Sequence, residues 1–111
     1  MQVASPENLN EDFTQRVVSH AADAEWLPSP PPGVERRMLD RVGGEVARAT
    51  SIVRYLPGAS FARHVHGGGE EILVLEGLFK DDAGNYPQAT WLRSPRWSQH
   101  APFTSAEGAL I

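Results

Sequence analysis

From residue 34 onward the chain alternates short apolar runs with turns marked by glycine or proline, at intervals of about ten residues. Met38–Arg41 ends at Gly43-Gly44. Val46–Tyr55, carrying Thr50, Ile52 and Val53, ends at Pro57-Gly58, and Phe61–His66 ends at Gly67-Gly68-Gly69. Glu71–Phe79 follows, then a turn over Asp81–Asn85, a run Ala89–Arg93 closed by Ser94-Pro95, a short run Ala101–Phe103 and a last apolar stretch Ala109–Ile111. Six or more short strands with regular turn signals predict an all-β sandwich or barrel. Upstream, Pro28-Ser29-Pro30-Pro31-Pro32-Gly33 cannot be helical and reads as a stiff extended connection. Residues 10–26 have two readings: Phe13, Val17 and Ala21 fit helical spacing, while Thr14–Val18 serves equally as a strand. The expected organisation is one domain, with residues 1–33 as an arm and connection and residues 34–111 as the barrel.

Composition narrows the function classes. A chain of 111 residues holds one small core. The formal net charge of −4 and scattered arginines, of which Arg36-Arg37 is the longest pair, argue against nucleic acid as a partner. The absence of cysteine removes disulfides, thiol nucleophiles and cysteine-ligated metals together, and suits a reducing compartment such as the cytoplasm. Residues 1–10 are polar, so no signal peptide is read there. The longest apolar stretch, Ile72–Leu75, is too short to span a bilayer, so no membrane association is expected.

Chemistry concentrates in one place. Two of the four histidines, His64 and His66, stand two residues apart just before the most hydrophobic segment. On a strand, positions i and i+2 share a face, so both imidazoles aim at one point. Gly67–Gly69 lets the chain reverse, and the next strand opens with Glu70 and Glu71, one of which can return to that point. His100, on a later segment, is a candidate fourth donor. Imidazole nitrogen with carboxylate oxygen suits one divalent first-row metal.

The other polar and aromatic residues carry blander readings. Trp26, Trp91 and Trp97 are considered for lining a ligand pocket, with burial in the core or an interface the simpler expectation. Arg54 and Arg93 are the arginines considered for anchoring a substrate carboxylate, with exposure on a strand the simpler expectation. Arg63 should point away from the metal point, His20 into solvent, and Glu71 should be a neighbour of the site. Neither a Ser/His/Asp triad pattern nor a phosphate-binding loop is found.

The segment resembles the first motif of the cupin superfamily, G-x5-H-x-H-x3-E-x6-G, at Gly58, His64, His66, Glu70 and Gly77 without a gap. That match selects Glu70 over Glu71. The second cupin motif is only approximated: Gly84, Pro87 and His100 could serve as its glycine, proline and histidine, and its terminal asparagine has no counterpart. Over most of its length the chain is similar to the cupin domain of ChrR-type anti-sigma factors and to single-domain relatives that include dihydroxyacetophenone-type dioxygenases. The resemblance is carried by Trp26-Leu27-Pro28-Ser29-Pro30, by Arg48–Ser51 and by His64–Glu71. In that family a histidine follows a "YPAG…NPPGSxH" segment. Here the segment reads Tyr86-Pro87-Gln88-Ala89 and then Ser94–His100, with the family glycines replaced at Ala89 and Trp97, which bears on the local turn shape. The resemblance implies a jelly-roll barrel and a site of His64, His66, Glu70 and His100 holding zinc or iron, or alternatively manganese or nickel. It implies a metal-binding module for a small ligand or stress signal, or a metal-dependent dioxygenase acting on a small aromatic ketone or diketone. Anti-sigma members carry a further helical domain with a cysteine-containing zinc site that binds the sigma factor, so sigma-factor binding is not expected of this chain alone. Relatives continue past the position of Ile111 with another apolar strand. The barrel is therefore expected to lack one strand, and a two-fold homodimer sharing the Thr14–Val18 strand across the proline tether is the expected assembly.

Overall fold

A computed structural model describes residues 7–44 and 46–111. Eleven strands are formed among them: β1 Asn8–Leu9, β2 Leu27–Pro28, β3 Val34–Gly43, β4 Ala47–Tyr55, β5 His64–His66, β6 Glu70–Leu73, β7 Glu76–Asp81, β8 Gly84–Pro87, β9 Trp91–Ser94, β10 Ser98–His100 and β11 Ala109–Leu110. The helical element among the described residues is one 3-10 turn, Ala21–Asp23, and no helix there is long and apolar enough to cross a membrane. The large sheet runs β1-β3-β4-β11-β7-β8, with β2 also on β3, and two small ladders, β5–β10 and β6–β9, complete a jelly-roll barrel. Every pairing is antiparallel.

The core forms where the large sheet meets β6. Phe79 and Val34 are fully buried, Tyr55 packs edge-on against Phe79 with ring centroids 5.4 Å apart, and Ile72 and Val74 close the cluster from the other side. The expected single strand Glu71–Phe79 is two. After Leu73 the chain leaves the β9 ladder and enters the large sheet as β7, so one apolar run serves both layers. Gly77 makes the crossing possible. Its φ is +79°, and a Cβ there would collide with the carbonyl oxygen of Gly108. Strand β8 begins inside the expected turn Asp81–Asn85 and runs beyond it, because its Asn85 and Pro87 are poor strand residues that the β7 partner nevertheless pairs.

The N-terminal region departs from expectation. The proline run is the loop of a hairpin, not a spacer: β2 folds back on β3 in the register Leu27↔Arg36, and the Ser29 N–H donates to the Val34 carbonyl at 2.9 Å. β1 pairs with the far end of the same strand, Leu9↔Arg41. Between these anchors Thr14–Val18 forms no strand. It has the apolar pattern of one but finds no ladder within the protomer, and Phe13, Val17 and Val18 are exposed.

Candidate metal centre

The β5–β10 ladder sets the site. Its register places His100 directly opposite His64, with Ser98 opposite His66, so three imidazoles share the inner face of two paired strands. Their ring centroids lie 4.5–4.8 Å apart in every pairing, and one nitrogen from each falls within 4.8 Å of the others, so the three could hold a metal ion. Glu70 opens β6 beyond the Gly67–Gly69 turn. Its Oε2 is 3.2 Å from His66 Nε2 and 3.3 Å from His100 Nε2, and those two nitrogens are 2.8 Å apart. An ion about 2.1 Å from two donors separates them by roughly 3.0 Å at a right angle and roughly 3.4 Å at the tetrahedral angle. The two edges that meet at Glu70 fall in that range, and the edge between the imidazoles is about 0.2 Å shorter than its lower end. An N–H···N bond between the two imidazoles would satisfy those nitrogens by themselves, but it would leave Glu70 Oε2, which is buried and accepts no hydrogen bond from the described residues. A cation fits that oxygen.

The surroundings fix ring orientation. His64 Nδ1 lies 2.7 Å from the Ala62 carbonyl oxygen, which leaves Nε2 as the nitrogen free for the cluster. His100, 8 % exposed, has its Nδ1 3.7 Å from Asp81 Oδ2. Asp81 is itself held by its turn, where Oδ1 accepts from the Ala83 and Gly84 N–H groups and from the Tyr86 hydroxyl at 2.9–3.1 Å. Burial, then the neighbouring His64 and His100, hold the His66 imidazole down to about 4, and burial likewise lowers His100. Glu70 is pushed up to about 7 by burial and by the Asp81 carboxylate.

The remaining sequence assignments sort cleanly. Glu71 points outward and pairs with Arg93 at 3.2 Å on the exposed face of β6–β9. Arg63 faces away from the cluster and pairs with Asp82 at 2.6 Å, and His20 is exposed. Arg54 bonds Glu35, and the guanidiniums of Arg54 and Arg37 each lie 4.2 Å from the Trp26 ring centroid. Trp91 and Trp97, expected in the core or an interface, are 55 % and 68 % exposed in the protomer. The cluster instead opens onto a cavity of about 460 Å³ walled by Val53, Tyr55, Phe61 and Phe79, which Arg36 and Arg41 of β3 also line. Sequence reading missed Asp81 and these two arginines. Strand alternation from Val34 would have found Arg36.

The two replaced glycines keep a glycine-like backbone. Ala89 and Trp97 have φ of +70° and +67°, a conformation that costs a residue with a Cβ about 1 kcal/mol or more. Trp97 holds its turn by donating its N–H to the His66 carbonyl at 2.7 Å and stacking over Gly67. Glycine at position 89 is therefore expected to raise stability by about 1 kcal/mol or less, seen as a higher melting temperature.

A family model described as the ChrR Cupin-like domain matches residues 14–111. No curated protein matches the sequence. Among solved structures, the complex of Rhodobacter sphaeroides SigE with the anti-sigma ChrR superposes with a TM-score of 0.66 at 23 % identity, covering 82 % of this chain and 49 % of the other. The chain thus spans about half the length of that relative. The polyketide cyclase RemF of Streptomyces resistomycificus gives 0.71 at 18 % identity, covering 86 % and 75 %. An RmlC-like cupin of Ralstonia eutropha gives 0.72 at 15 % identity, covering 86 % and 65 %. At these identities the structures share the fold.

Proposed function

The chain belongs to the ChrR cupin-like family, and from that premise we propose that it is a metal-binding cupin module, holding one divalent transition metal through His64, His66, Glu70 and His100 and reporting on a small ligand or stress signal from the cytoplasm. The observation that carries this reading is Glu70 Oε2, buried without a hydrogen bond and set 3.2 and 3.3 Å from two imidazole nitrogens. Bound there, the metal would supply Lewis acidity and, if iron, redox chemistry. The protein's share is to orient His64 through the Ala62 carbonyl, to set the Asp81 carboxylate behind His100, and to keep an apolar cavity beside them.

That cavity favours a second reading, a metal-dependent dioxygenase for a small aromatic ketone or diketone. The two separate on metal identity. Four donors around tetrahedral zinc close the coordination sphere, whereas octahedral iron, manganese or nickel keeps two positions open. Elemental analysis of freshly purified protein, followed by oxygen-electrode assays with hydroxylated aromatic ketones and diketones, decides. For an oxygenase the iron(II) form consumes dioxygen and the zinc form does not. Inactivity of a verified iron form leaves the sensor module.

A homodimer is also proposed, supported by unpaired strand edges. Upstream of Val53 the edge of β4 away from β3 has no ladder partner among the described residues, nor has the edge of β6 away from β9. Both edges border a groove of about 480 Å³ lined by Leu39, Ile52, Leu73 and Leu75. Phe13 and Val17 of the arm line an adjoining hollow that shares Leu39 and Thr50 with it. Such edges are normally covered. Light scattering is expected to give twice the chain mass for the intact protein and less association for a version beginning at Ala24. A monomer at high concentration removes this proposal.

A further inference from the structure

Strand β3 changes phase part-way along. Val34 and Met38 face the core, with Arg36 between them on the same face. Strict alternation would turn Arg41 outward. The ladder with β4 instead pairs Met38 with Ser51 and Asp40 with Thr50, leaving Leu39 as an extra residue. This bulge returns Arg41 to the interior, 4 % exposed, where it lines the cavity that the histidines face. Its guanidinium donates through Nε and Nη2 to one carbonyl, that of Gly44, and no carboxylate pairs with it among the described residues. Among the described residues this buried cation has a single neutral acceptor, and an anion in the cavity would complete its pairing.

We propose that the cavity takes a small organic acid, its carboxylate held by Arg41 and Arg36 and an oxygen donor at its other end facing the histidine cluster. This rests on the metal reading above. Three neutral imidazoles, one carboxylate and a divalent ion carry a net charge of +1, and the Arg41 guanidinium raises it to +2, which favours an anionic occupant. The apolar walls of Val53, Phe61, Ile72 and Phe79 suit a carbon skeleton between the two polar ends. The volume of about 460 Å³ lies within the range of ordinary ligand pockets. The bidentate fork of a guanidinium matches a carboxylate.

The test compares 2-oxoglutarate with 2-oxopentanoate, which differ at the far carboxylate, by calorimetric titration of the metal-loaded protein. The diacid is expected to bind at least tenfold more tightly. Arg41→Gln should remove most of that preference, Arg36→Gln part of it, and Arg41→Lys should restore some. Because Arg41 also clasps Gly44, a variant that fails to fold leaves the comparison on the unaltered protein to decide. Equal binding of the two acids by protein with a full complement of metal overturns this inference alone. A protein that takes up no metal overturns it together with the metal reading.

Discussion

Alanine at His66 is expected to abolish stoichiometric metal binding, and alanine at Glu70 to reduce it severely, while alanine at Glu71 leaves it near the unaltered level. His66 Nε2 meets both other polar atoms of the triangle, at 2.8 and 3.2 Å, so its loss opens two edges at once. Glu71 sits across the strand from the site, in an exposed pair with Arg93. Metal at a hundredfold excess over its dissociation constant stabilises a protein by about 2.7 kcal/mol. For a domain of this size that corresponds to roughly 10–20 °C in melting temperature. Chelator treatment should therefore lower the melting point of the unaltered protein by that amount and leave the His66→Ala variant where it is. Elemental analysis paired with melting curves reads both. Full metal content in Glu70→Ala with loss in Glu71→Ala would refute the ligand assignment.

Acid should weaken metal binding beginning at an unusually high pH. Without metal, Glu70 is held up to about 7, so near neutrality the ion must displace a proton from it. Below that value affinity falls at least tenfold per pH unit. His66, held down to about 4, adds no competing proton until the medium is far more acidic. Replacing Glu70 with glutamine should weaken binding and also reduce the slope of log affinity against pH by about one between pH 5 and 7.

The two shifts act oppositely on the metal-free protein. A folded-state value above the unfolded one, as for Glu70, contributes stability that is complete below the unfolded value near 4.5 and lost as pH rises through 7. The depressed His66 contributes stability present above 6.5 and lost as pH falls towards 4. Between pH 4.5 and 6.5 they offset, so the difference in melting temperature between loaded and chelated protein should shrink with acid because the loaded form loses its advantage. A constant difference from pH 7 to 5 would refute the coupling.

What could be read in advance follows from the range of each signal. His64 and His66 were legible because strand alternation is strictly local, and the structure gathers them as that alternation requires. The choice of Glu70 came through motif spacing and the ligand role of His100 through the family resemblance, since a partner 34 residues away leaves no local trace. The structure supplies the physical difference between the glutamates: one turns inward to the imidazoles and the other outward to Arg93. Arg41 escaped because a single-residue bulge at Leu39 inverts the facing of everything beyond it, and bulges leave little mark on composition. Thr14–Val18 shows the converse limit. Its pattern suits a strand, but a strand exists only where an edge receives it, and within the protomer β1 and β2 occupy the nearby ends of β3.

The ladder that pairs His64 with His100 has a consequence for the topology of the unfolded chain. An ion shared by β5 and β10 ties together positions about a third of the sequence apart, in a protein without cysteine. It acts as a removable covalent-like staple. By the chain-entropy relation used for cross-links, closing a loop of that length is worth about 4 kcal/mol if the ion survives in the denatured ensemble, and nothing if it departs. An ion held from both strands opposes their parting, so its removal should speed the opening of this ladder, read as faster amide exchange along β5 and β10.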